Sequence, residues 1–126
     1  MEQYLIDTNV IVDYLGGKLP HKNLDIVNKI IDKVPFTSVI CKIEALSFNF
    51  LQDELIIAES FLDYLILIEL NEGIVDETIQ IRRQFKIKTP DAIIAATSKV
   101  NNLTIVTRNT KDFIKIPQIK LYNPWT

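Results

Sequence analysis

Short apolar runs alternate with helix-spaced apolar residues along the whole chain, and this alternation restricts it to an α/β domain with a mainly parallel sheet. Tyr4-Leu5-Ile6 is a short strand that stops at Asp7, and a helix from Thr8 to Leu15 ends on Gly16-Gly17. Leu24, Val27, Ile31 and Val34 recur at spacings of three and four, so a second amphipathic helix follows, ended by Pro35. Phe36 to Val39 is the next strand, and helical stretches at 41–50 and 53–63 precede a third strand, Leu65 to Leu70. Asn71 or Glu72 opens a helix in which Ile74, Thr78, Ile81 and Phe85 share a face. Thr89-Pro90-Asp91 has the order of N-cap, proline at the first helical position and acid in the first turn, so another helix runs from there to Asn101. Leu103 to Thr107 is a strand, and Ile119 to Tyr122 an edge strand.

At 126 residues the chain has the size of one domain, residues 1–126, without repeats or a flexible linker. The single cysteine, Cys41, cannot close an internal disulfide and reads as a small buried apolar residue in a reducing, cytoplasmic setting. No apolar run exceeds the five residues of Tyr64–Ile68 or Ala92–Ala96. A membrane helix needs about 20, and a signal peptide about 7–15 behind basic residues, so neither is expected. The glycines, Gly16, Gly17 and Gly73, supply no phosphate-binding loop or dinucleotide fingerprint. No serine occupies a nucleophile elbow, and His21, between Pro20 and Lys22, reads as a loop residue.

The net charge of −2 hides a division: residues 1–81 hold 5 basic and 14 acidic side chains, −9, and residues 82–126 hold 9 basic and 2 acidic, +7. An anionic partner for the basic part is one consequence, and mutual neutralisation within the fold is the other. Four acids fall at strand ends or helix starts, where a doubly wound sheet keeps its ligand: Asp7, Glu44, Asp91 and Asp112. Helix capping and the helix dipole account for any one of them. Glu44 stands out because it lies among Ile40, Cys41, Ile43, Ala45 and Leu46, where burial without a partner would be costly. Four converging carboxylates would repel one another unless a divalent cation offset their charge. Mg²⁺ or Mn²⁺ suits such all-oxygen ligation, whereas zinc would find only Cys41 and His21 as soft ligands. Metal-assisted hydrolysis of a phosphodiester is the chemistry that remains.

The segments that carry these acids resemble a known family. Leu5-Ile6-Asp7-Thr8-Asn9-Val10-Ile11-Val12-Asp13-Tyr14-Leu15, Thr37-Ser38-Val39 leading to Glu44-Ala45-Leu46, Pro90-Asp91-Ala92-Ile93-Ile94-Ala95-Ala96-Thr97 and Leu103-Thr104-Ile105-Val106-Thr107-Arg108-Asn109-Thr110-Lys111-Asp112-Phe113 look like the PIN-domain family. Within it they are most similar to the VapC-type toxins of toxin–antitoxin pairs, over a span from residue 4 to Asn123-Pro124-Trp125. The resemblance implies a three-layer αβα sandwich, a Mg²⁺- or Mn²⁺-dependent endoribonuclease, a homodimer, and inhibition by a small antitoxin of the VapB type.

Carried over by position, the resemblance implies that Asp7, Glu44 and Asp91 are the first three acids of the site, as catalytic and metal-binding groups. Some members place the fourth acid where this chain has Asn109, and others have asparagine there and an acid three residues later. Asp112 is therefore assigned as the fourth acid, and Asn109 as a polar ligand or substrate contact. Thr8 and Thr107 are supporting hydroxyls, while Asn9 in its turn and Asp13 on its helix are structural. A metal held chiefly by Asp7 and Asp91 would promote attack of water on RNA, leaving a 5′-phosphate and a 3′-hydroxyl. Arg82, Arg83, Lys86 and Lys88 precede Asp91, and Arg108 and Lys111 bracket Asn109, so these cations would steer RNA. Arg82 and Arg83 fit a solvated helix face equally well. The apolar segment Phe48 to Leu62 could also supply more hydrophobic surface than one core requires, for a dimer or an antitoxin helix. A receiver domain is a weaker reading, because the acidic pair after its first strand and the lysine after its last core strand are missing here. A PIN-like domain that binds RNA or protein without cleaving is the better rival.

Overall fold

Leu5 and Ile6 are closed off from solvent on both faces of their strand, which makes the first strand the centre of the sheet. The computed structural model describes residues 2–126. Its elements are β1 (Tyr4–Ile6), α1 (Thr8–Leu15), α2 (His21–Asp32), β2 (Phe36–Ser38), α3 (Val39–Leu46), α4 (Gln52–Tyr64), β3 (Ile66–Ile68), α5 (Glu72–Gln84), α6 (Thr89–Val100), β4 (Thr104–Val106), α7 (Thr110–Phe113) and β5 (Lys120–Tyr122). The strands lie in the order β3-β2-β1-β4-β5. Every pairing is parallel, with Leu5 opposite Phe36 on one side of β1 and Ile105 on the other. Parallel neighbours cannot be joined by tight hairpins, so helices carry the crossovers and cover both faces. The result is the expected αβα sandwich.

The core gathers Leu5, Ile6, Val10, Ile11, Ile94, Ile105, Val106 and Phe113, all essentially inaccessible. On α6, Ala92, Ala95 and Ala96 are buried beside Ile94, and their small side chains let this helix pack closely on the sheet and on α5. A smaller cluster of Leu19, Val27 and Ile31 joins α2 to Tyr14, Phe61 and Trp125. No helix among the described residues is long and apolar enough to cross a membrane.

Several boundaries differ from the sequence reading for local reasons. The second helix stops at Asp32, and Val34 lies beyond it with a left-handed backbone, φ 56°. Helix α3 begins at Val39, directly after β2, because the Ser38 side chain accepts from the Ile40 N–H and caps it. Phe85 falls outside α5 in extended conformation. Lys88, not Thr89, is the N-cap of α6, which places Pro90 second in the helix. Helix α7, four residues long, is too short to show a periodicity. In the apolar segment, Phe48, Leu51, Ile56 and Ile57 are all more than half exposed, whereas Ala58 and Leu62 are buried.

Candidate active site

Strand β1 lies where the connections diverge, toward β2 and β3 on one side and β4 and β5 on the other. At such a switch point a crevice opens beyond the carboxyl ends of the strands. Asp7 is the first residue past β1, Ser38 ends β2 and leads into the helix that carries Glu44, and Thr107 is the first residue past β4. The first turn of α6 brings Asp91 to the same place. The outcome is a cleft of about 390 Å³ lined by Asp7, Thr8, Asn9, Val12, Asp13, Glu44, Phe48, Asp91 and Asn109.

Asp7 is the fixed point of this cleft, 3% exposed and held from several directions. Its Oδ1 accepts from the Thr8 N–H at 2.8 Å, which caps α1, and from the Cys41 thiol at 3.7 Å. Its Oδ2 accepts from Thr107 Oγ1 at 2.7 Å and from Asn9 Nδ2 at 3.3 Å. Thr107 Oγ1 in turn accepts from the Asn109 N–H at 2.9 Å, and Asn9 Oδ1 accepts from the Arg108 N–H at 3.1 Å. The loop after β4 is thereby fastened to the start of α1. Burial pushes the Asp7 carboxyl above the usual carboxylate range; its bonds from Thr107 and Thr8 oppose the shift, and the nearby Glu44 charge adds to it.

Asp91 is also pushed up, first by desolvation and then by the charges of Asp7, Asp112 and Glu44, against a smaller opposing effect of Lys88. Glu44 is exposed on the cleft wall and accepts from Thr8 Oγ1 at 2.7 Å. The burial cost that its apolar neighbours suggest is therefore not incurred: Cys41 and Ala45 are buried, while Glu44 and Ile43 beside it are exposed. Among the described residues no three His, Cys, Asp or Glu side chains form a ready-made metal cage. The carboxylates line the cleft without closing on a common point.

The remaining sequence candidates separate into groups. Asn109 lines the cleft itself, whereas Asp112, in the first turn of α7, lines a separate groove with Arg82, Lys86 and Lys88, and its charge acts on Asp91. Arg83 and Lys111 are exposed and line neither hollow. Arg108 lies over the Trp125 ring, 5.0 Å from its centroid. The Thr8 hydroxyl donates to Glu44 and the Thr107 hydroxyl to Asp7. Asn9 and Cys41, read as a turn residue and a core residue, are in contact with Asp7 itself. No periodicity signals such a role, and only their separation from Asp7 by two and 34 residues in a sheet of known order would have suggested it.

The PIN domain family model matches residues 4–119. No curated protein matches the sequence significantly. Among solved structures, a toxin–antitoxin complex from Klebsiella pneumoniae is 26% identical, with 97% of this chain and 98% of that chain covered and a TM-score of 0.77. DNA-bound VapBC from Salmonella typhimurium, at 22% identity, covers 98% of this chain and 99% of its own with a TM-score of 0.84. FitAcB from Neisseria gonorrhoeae, at 24% identity and with the same coverage, has a TM-score of 0.79.

Proposed function

This chain belongs to the PIN domain family, and on that footing we propose that it is the toxin of a toxin–antitoxin pair, an endoribonuclease that hydrolyses RNA phosphodiesters with water as the nucleophile. The observation that carries the reading is the crevice at the switch point, which Asp7, Glu44 and Asp91 line together and where both Asp7 and Asp91 are pushed up by burial and by the other carboxylates. Such a cluster is short of positive charge. Its donors are all oxygens, the set that Mg²⁺ or Mn²⁺ takes, so the residues fit a divalent cation of this kind. Asp7 and Asp91 would be its main ligands, with Glu44 and Asp112 beside them. When bound, it supplies the charge that makes water a better nucleophile and offsets the charge growing on the phosphate oxygens.

The chain's own groups have separable tasks. Thr107, Thr8 and Asn9 hold the Asp7 carboxylate in one orientation, and Thr8 also fixes Glu44. Asn109 presents a neutral polar side chain to the cleft, suited to a phosphate oxygen or the ion. Arg82, Arg83, Lys86, Lys88, Arg108 and Lys111 raise the local concentration of RNA without taking part in the bond change. A small VapB-type antitoxin is the proposed partner, supported by the likeness to the Klebsiella pneumoniae toxin–antitoxin complex. The exposed Phe48, Leu51, Ile56 and Ile57 offer it or a second copy an apolar surface, and the active form is proposed as a homodimer.

The test is incubation of the purified protein with structured RNA, with and without Mg²⁺ or Mn²⁺, beside an Asp7→Asn control. Metal-dependent cleavage by the wild type alone is expected. One observation favours a second reading, a domain that binds RNA without cutting it: the carboxylates do not converge on a point. Binding without cleavage at any metal concentration would select that reading.

A further inference from the structure

Cys41 lies in the first turn of α3 and is wholly buried, with Sγ 3.7 Å from Asp7 Oδ1. Glu44 follows three residues later on the same helix, one turn along, and stands exposed on the cleft wall while Cys41 is enclosed in the core. Thr8 closes a ring around them: its N–H donates to the same Asp7 oxygen at 2.8 Å, and its hydroxyl donates to Glu44 Oε1 at 2.7 Å. Helix α3 is thereby fastened to the start of α1 at two points, Cys41 on Asp7 and Glu44 on Thr8. The four donors on Asp7 also divide by side. Thr8 and Asn9 line the cleft, whereas Cys41 and Thr107 do not and are both fully buried, one on each carboxylate oxygen.

A thiol suits that place. It is a weak donor, so it orients a carboxylate oxygen while leaving most of the oxygen's charge for a cation. Burial and the Asp7 charge both push the thiol up, so it keeps its proton. With the sulfur shut off from solvent, no water replaces the contact if the thiol is lost. We infer that Cys41 is a positioning residue of the carboxylate site: its thiol docks the first turn of α3 on Asp7 Oδ1 and so fixes together the orientation of Asp7 and the place of Glu44. The thiol itself is neither a ligand nor a nucleophile. In the reading of the cleft as a cation-assisted nuclease site, on which the inference rests, loss of the thiol loosens two acids at once.

The test uses the full chain without RNA. Cys41 is its only cysteine, so the S–H stretching band in the infrared reports this thiol alone. In metal-free protein the band should move to higher frequency in Asp7→Ala, which removes the acceptor. Cys41→Ala and Cys41→Ser leave a similar gap in the core, and only serine keeps a donor, so the pair separates the bond from packing. Cys41→Ala should weaken Mn²⁺ binding, read by calorimetry, about tenfold, and Cys41→Ser should recover most of it. A band that stays in place in Asp7→Ala, or Mn²⁺ affinity in Cys41→Ala equal to that of the wild type, would overturn the inference. Equal losses in Cys41→Ala and Cys41→Ser would overturn it too, by making Cys41 a packing residue only. Should Cys41→Ala lose its cooperative melting, the band, which needs no change at Cys41, decides. A wild type that binds no Mn²⁺ and cuts no RNA but shows the band shift would sink the nuclease reading and leave the thiol contact standing. Mn²⁺-dependent cleavage by a wild type whose band does not respond to Asp7→Ala would do the opposite.

Discussion

Thr107 Oγ1 donates to Asp7 Oδ2 at 2.7 Å across a sequence separation of 100 residues, tying the residue after β4 to the residue after β1. Both residues are buried, so no water replaces the bond if the hydroxyl is lost. Thr107→Val keeps the shape of the side chain and should lower cleavage about 10- to 100-fold, the usual effect of removing a group that orients a metal-ligating carboxylate. Thr107→Ser should retain most activity. Initial rates at saturating RNA measure both, and an unimpaired valine variant would remove Thr107 from the site.

Asp7→Asn should abolish cleavage and make the metal-free protein more stable at neutral pH, because it removes a charge from a crowded, buried position. With the folded carboxyl above its ordinary value near 3.8, the folded state binds the proton more tightly than the unfolded one. The Asp7 contribution to wild-type stability is therefore greatest at acid pH and falls as pH rises through the carboxylate range to the folded value. The gap between variant and wild type should widen over that window, with a rise in Tm of about 4 °C for each kcal/mol recovered. Thermal melts across pH check the sign. Added Mn²⁺ should stabilise the wild type and not the variant.

At the last motif, Asp112→Asn should cost more activity than Asn109→Ala. Asp112 carries a charge that acts on Asp91, whereas Asn109 lines the cleft as a neutral group. Single-turnover rates at matched metal concentration compare the two. The opposite ranking would make Asn109 the nearer neighbour of the ion.

Lys88→Gln should raise KM more than Arg83→Gln and leave kcat little changed in either case. Lys88 lines the groove and acts on Asp91, while Arg83 is exposed on α5 outside both hollows. Cleavage should also weaken steeply with added monovalent salt, by counterion release, under conditions where circular dichroism is unchanged. A larger KM effect for Arg83 would move the RNA path to the outer face of α5.

The strands and most helices are legible in the sequence because parallel strands buried on both faces read as apolar runs, and the amphipathic helices between them keep their period. Asp7, Glu44 and Asp91 are legible for a related reason: they follow strand ends or begin helices, and the switch point gathers those positions. Other features depend on tertiary contact. The Cys41 thiol looks like any small core group until α3 is docked beside β1, and Asn9 looks like a turn residue until the Arg108 N–H is placed against it. Lys115 has no motif at all, because its position comes from the carbonyl of Lys86 on a different segment. Glu44 lines the cleft, but the burial argument drawn from its apolar neighbours does not hold on the open wall of α3.

The central place of β1 between β2 and β4 also sets a timetable for the chain's birth. The hydroxyl that orients Asp7 is made 100 residues after it. At roughly 5–20 residues per second, that interval lasts about 5–20 s. Throughout it, β1 lacks one of its two neighbours and the cleft lacks a wall, so a nascent or truncated chain that stops short of Thr107 carries Asp7, Glu44 and Asp91 without the pocket. Assembly of the cleft waits for Thr107, so only molecules that extend past that residue can hold Asp7 in its bonded orientation.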